Sequence, residues 1–129
     1  MTTDELTRAK EEAQRLGLSG GELLENTSLA LSECNGTGPQ WLGLLAGALN
    51  AIHPAMVTAS HIHDLRYYCG GTEADRKRAD GEWLTNCILV ALDLYRWYDP
   101  RRYYVIHTAV KYYHLIRLGG GLSWKGGEA

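Results

Sequence analysis

Long apolar runs, basic tracts and cysteine pairs are all scarce in this sequence, and each shortage removes a class of protein. The longest apolar run, residues 41–52, is too short for a bilayer, which takes about 20 residues. Lysine and arginine are dispersed, and a formal net charge of −2 gives no electrostatic case for nucleic acid as a partner. Three cysteines, Cys34, Cys69 and Cys87, are too few and odd in number for the disulfide framework of a small secreted domain. The N-terminus, Met-Thr-Thr-Asp-Glu-Leu-Thr-Arg, carries acid early and has no apolar core, so it does not read as a signal peptide. The expectation is a soluble product, cytoplasmic as translated, with no signal peptide or transmembrane segment. Strand-like alternation is poor throughout, and no internal repeat or low-complexity linker is visible.

What remains is a chain of 129 residues, 45% hydrophobic and 22% charged, the composition of one ordinary globular domain. Its periodicity is helical and glycine punctuates it. Residues 3–17 place Leu6, Ala9, Ala13 and Leu16 on a narrow stripe ending at Gly17. Ser19-Gly20-Gly21-Glu22 has capping-box spacing and predicts a second helix carrying Leu23, Leu24, Thr27, Ala30 and Leu31. A third apolar segment, residues 41–52, is interrupted at Pro54. A helix over 55–69 closes at Gly70-Gly71, and Thr72 with Asp75 caps the next, which runs to about Trp97. Asp99-Pro100 opens a last helix with Tyr103, Ile106, His107, Val110 and Tyr113 on one side, ending at Gly119-Gly120-Gly121. The fold class is all-α. Residues 1–33 are more charged than the rest and read as an N-terminal helical extension to a domain over 34–129.

Chemistry first shows at Asp80. On a helix it shares the face of Trp83, Leu84, Cys87, Ile88 and Ala91, so a carboxylate sits on an apolar stripe. Unpaired there, the charge would cost several kcal/mol or be neutralised by a proton. Three solutions exist: a position at the solvent end of the stripe, a pair with Arg76 one turn earlier, or a buried imidazole donating Nδ1–H. The facing helix offers His63 for the last. Tyr67, four residues on from His63 and on the same face, places its hydroxyl within reach of Asp80. Asp64 diverges from His63 by about 100°, so one side chain can address a water while the other reaches a cation.

The loop Cys34-Asn35-Gly36-Thr37-Gly38-Pro39 carries small residues at alternate positions. It reads either as a plain turn or as backbone that turns successive carbonyls toward an oxygen-seeking cation such as calcium. His61 and His63 form a His-x-His pattern, but an i, i+2 pair does not converge on a helix, which argues against zinc there. Cys34 and Cys87 read as buried apolar fillers, and Tyr103, Tyr104, Tyr112 and Tyr113 as core and surface aromatics.

Taken together, His63-Asp64-x-x-Tyr67, the upstream Gly36-x-Gly38 loop and the downstream Ala79-Asp80 resemble the phospholipase A2 superfamily. The similarity is to its compact, disulfide-poor members in viral capsid proteins and in small phage-encoded or bacterial proteins. Ser60 to Tyr67 with Ala79-Asp80-x-x-Trp83 resembles the viral version. Cys34 to Pro39, Gly71-Thr72, and Tyr112-Tyr113 leading into Arg117-Leu118-Gly119-Gly120 resemble the phage and bacterial group. The resemblance covers about residues 34–126. It implies a pair of antiparallel catalytic helices with a calcium loop, and calcium-dependent hydrolysis of the sn-2 ester of glycerophospholipids. By that resemblance His63 is the general base, Asp80 holds the imidazole, and Tyr67 supports Asp80. Asp64 and the carbonyls of Cys34, Gly36 and Gly38 bind calcium, and the Gly36 amide donates to the oxyanion. It further implies a phospholipid membrane surface as partner, and phage or virion association. Trp41, Leu42, Leu44 and Leu45, next to the expected site, read either as an interfacial lipid-binding surface or as core. The stretch from Gly38 to His63 is longer than in the secreted enzymes, and their disulfides are absent. The competing class is a non-catalytic module that keeps the two-helix scaffold as a structural or binding element, and a metal-binding, non-lipolytic hydrolase stands third.

Overall fold

The structure, a computed structural model, describes residues 1–34, 53–122 and 124. Five α-helices make up most of these: α1 Thr3–Leu16, α2 Thr27–Glu33, α3 Val57–Cys69, α4 Glu73–Leu94 and α5 Pro100–Gly119. Short 3-10 turns cover Gly21–Glu25, Pro54–Met56 and Gly120–Leu122, and no strand occurs among the described residues. The all-α class is therefore as expected. No helix among the described residues is long and apolar enough to cross a membrane.

Local chemistry accounts for most helix ends. The Thr2 hydroxyl accepts from the Glu5 amide at 3.1 Å while the Glu5 carboxylate accepts from the Thr2 amide at 3.3 Å, a closed capping box on α1. Thr72 and Asp75 repeat that arrangement at the start of α4. At α5, Asp99 Oδ1 accepts from the Arg101 amide at 2.9 Å, and Pro100 occupies the first turn, where no donor is needed.

The second helix departs from expectation. Ser19 does not cap it, because Ser19 is engaged by α4. Its amide donates to Asn86 Oδ1 at 3.1 Å, its carbonyl accepts from Asn86 Nδ2 at 2.9 Å, and its hydroxyl donates to Glu82 at 2.6 Å. The chain then passes through the Gly21–Glu25 turn, and α2 starts only after Asn26, whose side chain accepts from the Leu29 amide. One further boundary differs. Helix α4 stops at Leu94, since Tyr95 is extended and its ring lies under the Arg101 guanidinium at 4.9 Å. The inward face of α5 is Val105, Ala109 and Ile116, whereas Tyr103 is exposed, its hydroxyl donating to the Trp97 carbonyl.

Helices α3 and α4 run antiparallel. Advancing from Ser60 to His63 on α3, the partners on α4 retreat from Trp83 to Asp80. Gly70 and Gly71, both at positive φ, reverse the chain between them. Arg66 donates twice to Glu82, both at 3.0 Å, its long side chain reaching across the pair as a further tie. Helix α5 lies along α4. One continuous apolar cluster joins Leu6, Ala9, Leu24 and Ala30 to Ile62 and Leu65 of α3, Cys87 and Val90 of α4, and Val105 of α5. The N-terminal segment is thus seated on the α3–α4 pair.

Gly17 and Gly20 make a test of that seating. Both have positive φ, 64° and 83°, but a Cβ at Gly17 meets nothing, whereas one at Gly20 lies 2.7 Å from Ile62 Cγ2 and 2.9 Å from Glu82. Gly17→Ala should cost about 1 kcal/mol in urea unfolding, the left-handed backbone penalty alone. Gly20→Ala should cost roughly 1–3 kcal/mol more, since Ile62 is buried and cannot yield cheaply. Equal losses for the two variants would show that the N-terminal segment does not press on α3.

Candidate functional site

Asp80 and His63 are brought together deep between the paired helices. Asp80 has no exposed surface and His63 is 3% exposed. His63 Nε2 lies 2.8 Å from Asp80 Oδ1, and the Tyr67 hydroxyl donates to the same oxygen at 2.7 Å. Because a carboxylate only accepts, Nε2 carries the hydrogen, and in the neutral imidazole the lone pair is on Nδ1. The contact therefore uses the imidazole nitrogen opposite to the Nδ1 expected from sequence, which leaves Nδ1 as the candidate base. The His63 and Tyr67 rings lie 4.4 Å apart between centroids, and the Trp83 ring, whose Nε1 donates to Ser60, flanks His63 at 6.3 Å.

The other Asp80 oxygen is also engaged. Arg117 of α5 donates to Oδ2 at 2.6 Å, and Arg76 Nη1 stands 3.6 Å away. Both guanidiniums also hold Glu73, so two cations and two carboxylates form one closed group. Burial alone would raise the Asp80 carboxyl, but hydrogen bonds from His63, Tyr67 and Arg117 outweigh it and hold the group below its ordinary value. The Tyr67 hydroxyl is pushed upward by burial and then by Asp80, so it stays protonated as a donor. Gly120, just past α5, sits so close that a Cβ there would run into the Tyr67 hydroxyl. Trp124 closes the far side, its ring 5.1 Å from Tyr67 and its Nε1 donating to the Gly71 carbonyl at 3.0 Å.

His63, Tyr67 and Asp80 were legible as a set, and so was the Arg76–Asp80 pair as an alternative; the two solutions coexist. Arg117 and Trp124 had no role assigned from sequence. Arg117 is 37 residues from Asp80, and no local spacing points from one to the other.

Asp64 faces a different neighbourhood, with Cys34 and His61. One ligand-capable atom from each of these three lies within 4.8 Å of the others. Cys34 follows α2, and its thiol donates to the His61 carbonyl at 3.5 Å. Burial lowers the His61 imidazole, and its Nε2 is buried without a hydrogen-bond partner among the described residues. Burial pushes the Asp64 carboxyl up to about 6, with the adjacent His63 opposing. Gly36 and Gly38, expected to supply calcium carbonyls and the oxyanion amide, lie outside the described residues, as do Trp41, Leu42, Leu44 and Leu45. None of the three cysteines is in a disulfide; Cys34 and Cys87 are buried, as expected, and Cys69 is exposed.

No protein-family model, curated protein or solved structure matches this chain.

The Asp64 carboxyl sets a pH dependence. It is raised on folding, so the unfolded chain releases its proton at lower pH, from the ordinary value of 3.8, than the folded chain does at about 6. Without a bound cation, stability should therefore fall as pH rises through that window, and the deficit should persist at pH 7. Asp64→Asn should raise neutral-pH stability, on the order of 1–2 kcal/mol after allowing for partial exposure, and flatten the profile between pH 4 and about 6. A variant no more stable than wild type at pH 7 would remove the desolvated carboxylate from the description of this site.

Proposed function

We propose that the protein is a phospholipase A2-like hydrolase that cleaves the sn-2 ester of glycerophospholipids at a membrane surface. The observation that carries this reading is the buried His63–Asp80 contact, which fixes the imidazole with Nδ1 as the proton acceptor. In the reaction His63 Nδ1 takes a proton from water as the water oxygen bonds to the ester carbonyl carbon. The tetrahedral species then collapses, the ester C–O bond breaks, and His63 returns the proton to the departing lysophospholipid oxygen. Asp80 orients the imidazole and offsets the charge it acquires, with Tyr67 and Arg117 keeping Asp80 ionised and in place. General base catalysis of this kind contributes typically about 10²–10⁴-fold.

Calcium is the cation this reading requires, and Asp64 is the residue suited to hold it: a partly buried carboxylate whose ionisation gains from a cation beside it. When bound, calcium supplies a Lewis acid for the ester carbonyl and a counter-charge for the phosphate. The carbonyls of Cys34, Gly36 and Gly38 belong to the same proposal, as does the Gly36 amide as oxyanion donor. Trp41, Leu42, Leu44 and Leu45 would contact lipid, and phage or virion association belongs to the same reading.

A second reading has its own support. His63 is almost fully covered, and two guanidiniums bind Asp80 from α4 and α5, so the group ties three helices together whether or not turnover occurs. Such a protein would be a non-catalytic module on the same scaffold.

Hydrolysis of mixed phospholipid vesicles in calcium separates the two. Wild type should release fatty acid, and a calcium chelator should stop it. His63→Gln should lower the rate at least about 100-fold while the melting temperature stays within a few degrees. Asp80→Asn should cost roughly 3–5 kcal/mol of stability, because it leaves two guanidiniums facing a neutral amide. Folded wild type that releases no fatty acid from any phospholipid surface would overturn the lipolytic reading and favour the non-catalytic module.

A further inference from the structure

The corner formed by Cys34, His61 and Asp64 has a chemistry of its own. His61 and Asp64 are three residues apart on α3 and therefore share a face, and Cys34 comes from the end of α2 to meet them. The donor set is a thiol sulfur, an imidazole nitrogen and a carboxylate oxygen, all within 4.8 Å of one another. Calcium and magnesium take oxygen donors and make poor use of sulfur and imidazole. Thiolate with imidazole and carboxylate suits a borderline-soft divalent ion.

We propose that Cys34, His61 and Asp64 form a binding site for a thiophilic divalent cation of the zinc type, with water in the fourth position. Tetrahedral zinc, at about 2.3 Å from sulfur and about 2.0–2.1 Å from nitrogen and oxygen, sets these ligand atoms about 3.3–3.6 Å apart. The three side chains, all within 4.8 Å of one another, are therefore within about 1.5 Å of that spacing, a change that side-chain rotations supply. The buried Nε2 of His61, which has no hydrogen-bond partner among the described residues, gives the imidazole a reason to turn toward an ion. On binding, the Cys34 thiol loses its proton to solvent and its sulfur exchanges the contact with the His61 carbonyl for the metal. The ion would pin the end of α2 to α3. Asp64 is shared with the calcium reading, but the zinc site stands without it, since nothing in it needs lipid or turnover.

The test uses the reduced full-length chain and metals alone. Competition with a chromophoric chelator should find one zinc per chain, and zinc should raise the melting temperature, as an ion bound only by the native state must. Cobalt in its place should give a thiolate-to-cobalt charge-transfer band in the near ultraviolet. Cys34→Ser should abolish that band, and Cys34→Ser and His61→Gln should each weaken zinc at least about 100-fold, more than loss of a supporting neighbour does. Asp64→Asn should retain the band, weaken zinc, and lose most of the zinc-dependent rise in melting temperature. Cys69→Ser should change none of these. A cobalt band that survives Cys34→Ser and disappears in Cys69→Ser would overturn the site, as would zinc affinity unchanged in both His61→Gln and Asp64→Asn. Far-ultraviolet circular dichroism of each variant keeps a folding failure distinct from loss of a ligand. A chain that binds zinc this way and hydrolyses no phospholipid would retain the metal site and lose only the lipolytic reading.

Discussion

A carboxylate without exposed surface has to be surrounded by donors, and at Asp80 those donors come from three helices. Removing such a charge from water costs several kcal/mol even after relaxation. His63 and Tyr67 from α3 saturate one oxygen, Arg117 from α5 takes the other, and Arg76 stands one turn away on α4. Each contact fixes the rotation of a helix about its axis as well as its distance from α4. Glu73 sits at the first turn of α4 and holds both arginines, so the capping box at Thr72 also orders the far side of the group. Even the small size of residue 120 follows, because the backbone past α5 must pass against the Tyr67 hydroxyl.

Much of this was readable in advance, and the limits have physical causes. Thr72, Asp99, Gly17 and Gly70 act through neighbours within four residues, so their roles are written in local spacing. The His63–Tyr67 face and the carboxylate on the stripe of α4 are equally local. Ser19 misled because a capping spacing says only what a hydroxyl can do, and Asn86 with Glu82 on α4 offered better partners. Arg117 was invisible as a ligand of Asp80 because the contact spans 37 residues and depends on how α5 lies on α4. On α5 Tyr103 has an outlet at the Trp97 carbonyl and is exposed, while Val105 with Ala109 turns inward, a choice that packing on α4 makes.

Two titratable groups one residue apart on α3 live under opposite conditions. His63 is held by a carboxylate that is itself held by arginines. Asp64, on the adjacent face, is desolvated beside a thiol and an imidazole. The first arrangement is closed and stabilising without any ligand. The second is a desolvated carboxylate that burial pushes upward, whereas in the first the donors around Asp80 outweigh burial.

The Asn86 amide grips residue 19 entirely through the amide and carbonyl of the main chain. A clamp that recognises backbone places no demand on the side chain it holds, beyond the separate hydroxyl contact to Glu82. Residue 19 can therefore drift through many identities while the seam stays shut, whereas position 86 has to keep a side chain with a donor and an acceptor at once. The two sides of the seam carry unequal information: the helix records the contact in its sequence, and the segment it holds leaves almost no written trace of being held.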